Sequence, residues 1–488
     1  MPHHHTDAPP SVTTRPASPG SRPKHPLNTF EVTAISIGFM GPVMAMSLNG
    51  IGVADLVGKA VPFTFLVSFI GTLLVAYGFI RLLRKITHAG SVYALTGITL
   101  GPRAGFFGGF ALLGTYVGFA ACIMGACAVF FEAMTDEMGL SLPSSFWMVV
   151  VFLCGIAALA LNLRDSAIVA RTTLAIGFLG ILAMIVLAVV IIVKVATGSA
   201  PVSTGVDVST LTPGGASVST IMTASVFGFL SWAGFESGSS LGEETANPKK
   251  IIPRSLLLAV TVGGLVYVFM MFAQTIGYGT DQTGIDAFAG ASSTLTELSS
   301  TYIGSWFAVL ISVIAFCVAF GAFLSSSMAA SRLLFALARD GFGPASLGTR
   351  HPHTKVPTIA VYVSVIGTTL MALILGFCGA DNVEVYYWYA TIATLCMVIA
   401  YGMTAVGVIW DTVYGKRAGI PMRELIFPVL AVIYLAYVYG VQVVGQEAPY
   451  SYFPWIAAAW CLVGLVIVLS RPTLAERIGA RMTVEDLD

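Results

Sequence analysis

Twelve apolar stretches, each long enough to cross the hydrocarbon core of a bilayer, dominate this sequence. A helix rises about 1.5 Å per residue, so about 20 apolar residues span the ~30 Å core. Only 10% of the residues are charged, against roughly 25% in an ordinary soluble domain. The sequence therefore predicts an all-α membrane protein with twelve transmembrane helices. The expected spans cover residues 31–54, 60–86, 102–134, 144–163, 166–196, 217–241, 252–279, 302–338, 356–377, 383–410, 424–445 and 451–470.

The basic residues predict the orientation of these spans. Cytoplasmic loops retain an excess of Lys and Arg, and with the N-terminus inside, only Lys59 and Lys194 fall on the outer side. We therefore expect a multi-pass protein of the cell (plasma) membrane with both termini in the cytoplasm. The formal net charge of zero gives no basic surface for nucleic acid. The expected partners are the lipid bilayer and a small molecule.

Two of the predicted spans contain residues that interrupt a helix. Span one reads "AISIGFMGPVMAMSLNGIG", with Gly41 and Pro42 at its centre, and span six reads "FLSWAGFESGS", with Gly234 beside Glu236. Proline removes a backbone donor, and in lipid a broken backbone is tolerated only where it is buried or lines a polar cavity. The alternative is that these residues only kink or pack ordinary helices.

The two breaks lie five spans apart, which predicts two five-span halves of opposite topology. Secondary transporters have this 5+5 inverted repeat, with discontinuous helices 1 and 6 and a binding site where the breaks meet. Freed N–H groups at such breaks attract a carboxylate, and freed carbonyls attract an ammonium group or a cation.

Two kinds of polar residue inside the spans invite a functional interpretation. A carboxylate in mid-membrane is costly, so Glu236 either handles protons or caps the broken backbone and hydrogen-bonds a neighbouring helix. Tyr116 lies mid-span among glycines and is a candidate pocket residue. The cluster of Tyr386, Tyr387, Trp388 and Tyr389 opens span ten, where aromatic residues are more often interfacial anchors than a gate.

Three motifs resemble those of the amino acid–polyamine–organocation (APC) superfamily of permeases. "FLSWAGFESGSSLGEETANPKKIIPRSL" resembles the sixth-span signature of that family, "HAGSVYALTGITLGPRAGFFGGF" its Gly-Gly-x-Tyr loop entering span three, and "MAASRLLFALARDGFGP" its end of span eight. The resemblance implies the leucine-transporter-like fold, with a bundle of spans 1, 2, 6 and 7, a scaffold of spans 3, 4, 8 and 9, and arms 5 and 10. Spans eleven and twelve are peripheral helices in this arrangement.

The chain divides into four parts. Residues 1–28 are rich in Pro, Ser, Thr and His without an apolar core, which predicts a disordered cytoplasmic N-terminal tail. The resemblance implies an inverted-repeat transport core of spans 1–10 at residues 29–410 and peripheral spans 11–12 at residues 411–470, which leaves a cytoplasmic C-terminal tail at residues 471–488.

The implied function is secondary active transport of an amino acid or related amine by alternating access, coupled to a cation, with no enzymatic activity. The alternatives are an exchanger for polyamines or amino alcohols and a transporter-fold nutrient sensor. Pro42 departs from the family pattern and lacks an N–H for a carboxylate, which keeps an amine or amino alcohol open. The implied substrate-binding residues are Gly41, Pro42, Val43, Met44, Ala45, Tyr116, Phe229, Ser231, Trp232, Ala233, Gly234, Phe235 and Glu236.

The coupling ion is Na⁺ or H⁺ by the same resemblance, and no other cofactor is expected. Gly180 stands where proton-coupled relatives carry a lysine in span five. Ser325 and Ser326 in span eight match the hydroxyl ligands of a sodium site, and hydroxyls with backbone carbonyls make the oxygen shell that a hard cation prefers. The alternative is that these serines only pack and hydrogen-bond between helices.

Overall fold

The computed structural model is built from helices joined by short loops. It describes residues 26–85, 91–163, 167–202, 205–351, 356–415 and 419–485, and most of the predicted N-terminal tail lies outside them. Within these ranges the only extended pairing is a single bridge between Leu27 and Thr245. The α-helices are α1 Thr29–Met40, α2 Pro42–Val57, α3 Val61–Leu83, α4 Ser91–Leu100, α5 Pro102–Glu137, α6 Phe146–Asn162, α7 Ala167–Ala196, α8 Val218–Leu230, α9 Pro248–Tyr278, α10 Gln282–Ala289, α11 Thr294–Tyr302, α12 Ser305–Arg339, α13 Thr358–Phe377, α14 Asn382–Trp410, α15 Ile426–Val443, α16 Phe453–Ser470 and α17 Pro472–Glu485.

The apolar helices confirm an all-α membrane architecture. In the described ranges, 9 helical stretches are long and apolar enough to cross a bilayer. The first of them, Thr29–Leu83, contains α1, α2 and α3, while Phe146–Asn162 and Val218–Leu230 are shorter apolar helices. The count of twelve spans, the inverted repeat and the division into domains therefore stay predictions.

The long helix α5 lies at the centre of the molecule, packed along α12 and α14. Small residues allow the close approach. A Cβ on Gly118 would lie 2.8 Å from the Cβ of Ala393, and one on Gly125 would lie 2.8 Å from the backbone nitrogen of Tyr386. This contact brings the start of α14 into the interior of the protein.

The first membrane segment is broken where the Gly-Pro pair predicts a break. Helix α1 ends at Met40, Gly41 has φ 59° and ψ 59°, and α2 begins at Pro42. The left-handed conformation costs a residue with a Cβ about 1–2 kcal/mol, so glycine suits it. Proline suits the first position of the next helix, because the N–H that it lacks has no partner within the helix there.

The sixth segment is broken at Gly234. Helix α8 ends at Leu230, Gly234 has φ 87°, and the chain continues as a 3₁₀ helix over Phe235–Glu244. A Cβ on Gly234 would lie 1.9 Å from Cδ1 of Phe39 in α1. Glycine is therefore required both by the backbone and by the contact with the first broken segment.

A buried cavity between the two broken helices

A small cavity lies where the two breaks meet α5, α12 and α14. Its volume is about 30 Å³, enough for roughly two water molecules at ~10–15 Å³ each. It is too small for an amino acid without movement of the surrounding side chains. Its lining residues are Phe39, Met40, Met44, Ala45, Asn49, Phe119, Cys122, Ile123, Leu230, Ala233, Ser326 and Tyr386.

The N-terminus of α2 supplies backbone donors at this cavity. Gly41 precedes the helix without any side-chain cap, and the first N–H groups of a helix have no partner within it. Pro42 contributes none, but the N–H group of Met44, which lines the cavity, remains, and so does that of Val43 next to it. They carry the partial positive charge of a helix N-terminus, which favours an anionic group.

Ser326 places an unpaired hydroxyl at the cavity wall. Its side chain is 1% exposed, and its Oγ has no hydrogen-bond partner among the described residues. An unsatisfied buried hydroxyl costs about 1–3 kcal/mol, so this atom favours a polar ligand. The hydroxyl of Ser325 instead donates to the Gly321 carbonyl, 3.0 Å away in the same helix. The structure brings only one of the two predicted cation ligands to the cavity, and the sodium site stays a prediction.

Asn49 joins three helical segments at the cavity through its amide. Its Nδ2 donates to Ser231 Oγ at 2.8 Å, and its Oδ1 accepts a hydrogen bond from the Tyr386 hydroxyl at 2.6 Å. Asn49 links α2, the turn after α8, and α14. The sequence interpretation missed this residue, although a polar side chain inside an apolar span is itself a signal for a functional site.

The interpretation of Tyr386 and Tyr387 as interfacial anchors is wrong. Their side chains are 2% and 7% exposed, and the Tyr387 hydroxyl donates to the Leu48 carbonyl in α2. The physical reason is the close contact at Gly125, which carries the start of α14 inward. There the two hydroxyl groups hydrogen-bond to α2.

Glu236 is buried beside the cavity but does not line it. Its carboxylate is 1% exposed and accepts hydrogen bonds from the Tyr116 hydroxyl at 3.1 Å and from the Tyr401 hydroxyl. Phe39, which does line the cavity, packs edge-on against Tyr116 with ring centroids 6.2 Å apart. Of the two roles predicted for Glu236, hydrogen bonding to neighbouring helices is the one visible in the geometry.

The predicted site residues fall into three groups. Met44, Ala45, Ala233 and Ser326 line the cavity. Gly41, Pro42 and Gly234 form the breaks. The remaining predicted residues lie near the breaks or in adjacent helices without lining the cavity: Val43, Tyr116, Phe229, Ser231, Trp232, Phe235, Glu236 and Ser325. The missed residues lie mainly on α1 and α5, whose inward faces depend on helix packing rather than on a local motif.

Comparison with known sequences identifies the family. The family model described as "Amino acid permease" matches residues 27–468, which is most of the chain. The protein belongs to the amino acid permease family. It is therefore a multi-pass membrane transporter for a small-molecule substrate and not an enzyme.

Curated relatives of this permease cover most of its length. The Low-affinity putrescine importer PlaP of Escherichia coli K12 is 27% identical over 337 residues, covering 69% of this chain and 72% of PlaP. The Branched-chain amino acid permease BcaP of Bacillus subtilis is 25% identical over 346 residues, covering 70% and 72% respectively. The mouse Cationic amino acid transporter 4 is 23% identical over 398 residues, covering 78% and 59%.

A solved transporter structure has a similar fold. The crystal structure of a manganese transporter mutant from Eremococcus coleocola superposes with a TM-score of 0.54 at 12% sequence identity, covering 93% of this permease and 97% of that chain. At this identity the likeness concerns the fold alone. It agrees with an all-helical transporter architecture.

Proposed function

We propose that this permease is a secondary active transporter that moves an amino acid with an uncharged side chain across the plasma membrane by alternating access. The observation that carries the proposal is the cavity between the breaks at Gly41 and Gly234, where an uncapped helix N-terminus meets the unpaired hydroxyl of Ser326. The small cavity volume fits an occluded state, from which either side opens by movement of the broken segments.

The proposed substrate is a zwitterion. Its carboxylate is held by the N–H groups of Val43 and Met44, and its ammonium by carbonyls at the C-terminal ends of α1 and α8, because these helix ends carry opposite partial charges. Both α1 and α8 end at the cavity, through Met40 and Leu230.

A diamine fits this site less well. None of the lining residues is charged, so a second ammonium would be buried without a partner, which is costly. Glu236, a buried acid in the broken sixth segment, already accepts hydrogen bonds from Tyr116 and Tyr401. The relatives include a putrescine importer and a branched-chain amino acid permease, and the lining favours the amino acid.

The proposed driving force is a cation gradient. Ser326 with Ser325 and nearby carbonyls would hold Na⁺, and Glu236 is the group that would bind H⁺ instead. Exchange of polyamines or amino alcohols is the second candidate, and the similarity to a putrescine importer supports a polyamine as its substrate. A nutrient sensor on the same fold would bind its ligand without uptake.

The test is uptake of radiolabelled leucine, alanine and putrescine into proteoliposomes, with Na⁺ or K⁺ outside and with or without a pH gradient. The Gly234→Leu variant should lose uptake, because its side chain meets Phe39. The control is Gly367→Leu, since a Cβ on Gly367 meets no atom within 4 Å. Before the uptake assay, both variant proteins are shown to be folded and monodisperse.

Each outcome decides between the candidates. Accumulation of leucine or alanine driven by one gradient supports the proposal. Accumulation of putrescine alone would replace the amino acid with a polyamine, and uptake that requires vesicles preloaded with unlabelled substrate would identify an exchanger. Equal uptake by wild type and Gly234→Leu would reject the site. Binding of an amino acid without any uptake, into empty or preloaded vesicles, would identify a sensor.

A further inference from the structure

An apolar groove lies between α3 and α9, away from the cavity. Its volume is about 260 Å³, several times the ~30 Å³ share of one water molecule in the liquid. All of its lining residues are apolar, so water gains no hydrogen bond there. They are Leu66, Phe69, Leu211, Gly264, Leu265, Val268, Phe269 and Phe272.

The groove is elongated and opens sideways. Its α9 residues run from Gly264 to Phe272, which is about 12 Å along a helix at ~1.5 Å per residue. Leu265 and Phe269 are 63% and 37% exposed, as is usual for the outer face of a membrane helix. Both α3 and α9 belong to stretches apolar enough to cross a bilayer. The mouth of the groove is therefore continuous with a surface that faces lipid.

The inner wall of the groove is connected to the broken sixth segment. A Cβ on Gly264 would lie 2.2 Å from the ring of Phe69, so the glycine makes room for that ring. Phe69 in turn stacks on Trp232, with centroids 6.1 Å apart and planes at 4°. Trp232 is 1% exposed and lies two residues before the break at Gly234.

We propose that this groove binds one acyl chain of a membrane phospholipid, and that the bound chain stabilises the broken segment through Phe69 and Trp232. A chain of methylene groups matches the length, the apolar lining and the sideways opening. An empty groove of this size would forfeit the van der Waals contacts of its walls. This site is separate from the substrate cavity and does not rest on the identity of the substrate.

The first experiment measures lipid retention. Purified permease in detergent is mixed with palmitoyl-oleoyl phosphatidylglycerol, and the bound lipids are counted by native mass spectrometry. Val268→Phe places an additional ring in the groove and narrows it, whereas Val262→Phe adds the same ring to the exposed face of the same helix, where Val262 is 43% exposed. We expect Val268→Phe to retain one lipid fewer than wild type and Val262→Phe to retain the same number. Equal retention by both variants would overturn the site.

The second experiment tests the connection to the break. Added phospholipid should raise the melting temperature of the wild type, and Phe69→Leu should lose most of that rise while keeping the lipid. Phe272→Leu is the matched control. Phe272 is the last of the α9 residues that line the groove, and it is not among the aromatic residues that pack against Trp232. An equal rise in both variants would remove Phe69 from the connection. Neither lipid retention nor the melting temperature requires transport. A negative result in these two experiments is therefore distinct from a failure of the proposed transport function.

Discussion

Buried polar side chains decide how the cavity is held together. The Asn49 amide connects Ser231 to Tyr386, at 2.8 Å and 2.6 Å, and all three side chains are at most 2% exposed. Each hydrogen bond contributes only about 0.5–1.5 kcal/mol net, but a partner left unpaired in the interior costs about 1–3 kcal/mol. The loss of one member should therefore be visible in stability.

Tyr386→Phe should destabilise the protein and weaken substrate binding. The change keeps the ring but leaves Asn49 Oδ1 without its donor, at a cost of about 1–3 kcal/mol. The measurement is thermal unfolding in detergent with and without leucine. Tyr437→Phe is the control, since Tyr437 is 43% exposed on α15. Unchanged melting of Tyr386→Phe would mean that the hydrogen bond adds nothing to stability.

Ser326→Ala should have the opposite effect on stability and the same effect on binding. Removing a buried hydroxyl without a partner relieves a cost of about 1–3 kcal/mol in the ligand-free protein. The same change removes a contact for the substrate or for Na⁺. We expect a higher melting temperature without ligand and a smaller rise when leucine and Na⁺ are added.

Ser325→Ala is the matched comparison for that experiment. Its hydroxyl is already bonded to the Gly321 carbonyl, so we expect ligand binding close to wild type. If Ser325→Ala weakened Na⁺ binding as strongly as Ser326→Ala, the predicted two-serine cation site would gain support over a single-serine contact.

At the scale of the helices, the breaks were predictable and the cavity walls were not. Gly41, Pro42 and Gly234 break helices by local backbone chemistry, which the sequence displays directly. The inward face of α5 is different, because most of its residues are apolar or small and many faces look alike. Tyr386 was misassigned for a related reason, since its depth depends on the contact of α14 with Gly125.

Gly41→Ala should lower stability and uptake together. Gly41 has φ 59°, where a Cβ costs about 1–2 kcal/mol, and relief of that strain would move the start of α2 away from the cavity. Gly367→Ala in α13 is the control, because its Cβ has open space and alanine favours a helix by roughly 0.5–1 kcal/mol over glycine. Thermal unfolding and leucine uptake are measured for both. A fully active, equally stable Gly41→Ala variant would show that the left-handed conformation is not needed.

At the scale of the whole molecule, the last two apolar helices both contact α14 and differ in their other neighbours. Helix α15 also packs on α3 and α8: the Gln442 amide donates to the Thr223 carbonyl at 3.1 Å, and Tyr434 packs against Phe229 with centroids 6.0 Å apart. In the 3₁₀ turn that precedes α15, Glu424 accepts hydrogen bonds from Tyr77 and Arg81 of α3.

Helix α16 is attached to α5 instead. The Trp460 indole donates to the Phe110 carbonyl at 2.8 Å and stacks on that ring with centroids 4.7 Å apart. The two peripheral helices meet each other at the hydrogen bond from Tyr439 to the Pro454 carbonyl, 2.7 Å long. If α3 and α8 rock against α5 during transport, α15 should travel with the first pair and α16 should stay with α5.

Cross-linking tests this division, with paired cysteines and a short flexible reagent that reacts with thiols and can be cleaved. The background variant is Cys378→Ser, which removes an exposed native cysteine. Gly71→Cys with Tyr434→Cys joins α3 to α15, at a point where a Cβ on Gly71 would lie 2.3 Å from the Tyr434 ring. This link lies within one moving part, so leucine uptake should remain after reaction.

Gly402→Cys with Leu435→Cys joins α15 to α14, where a Cβ on Gly402 would lie 4.0 Å from Leu435 Cδ1. This link ties the moving helix to one that contacts α5 along its length, so it should reduce uptake strongly until the reagent is cleaved. Loss of uptake on linking α3 to α15, with uptake kept on linking α14 to α15, would place α15 with the stationary part. That result would reverse the division, because the contacts of Tyr434 and Gln442 would then have to break in every transport cycle.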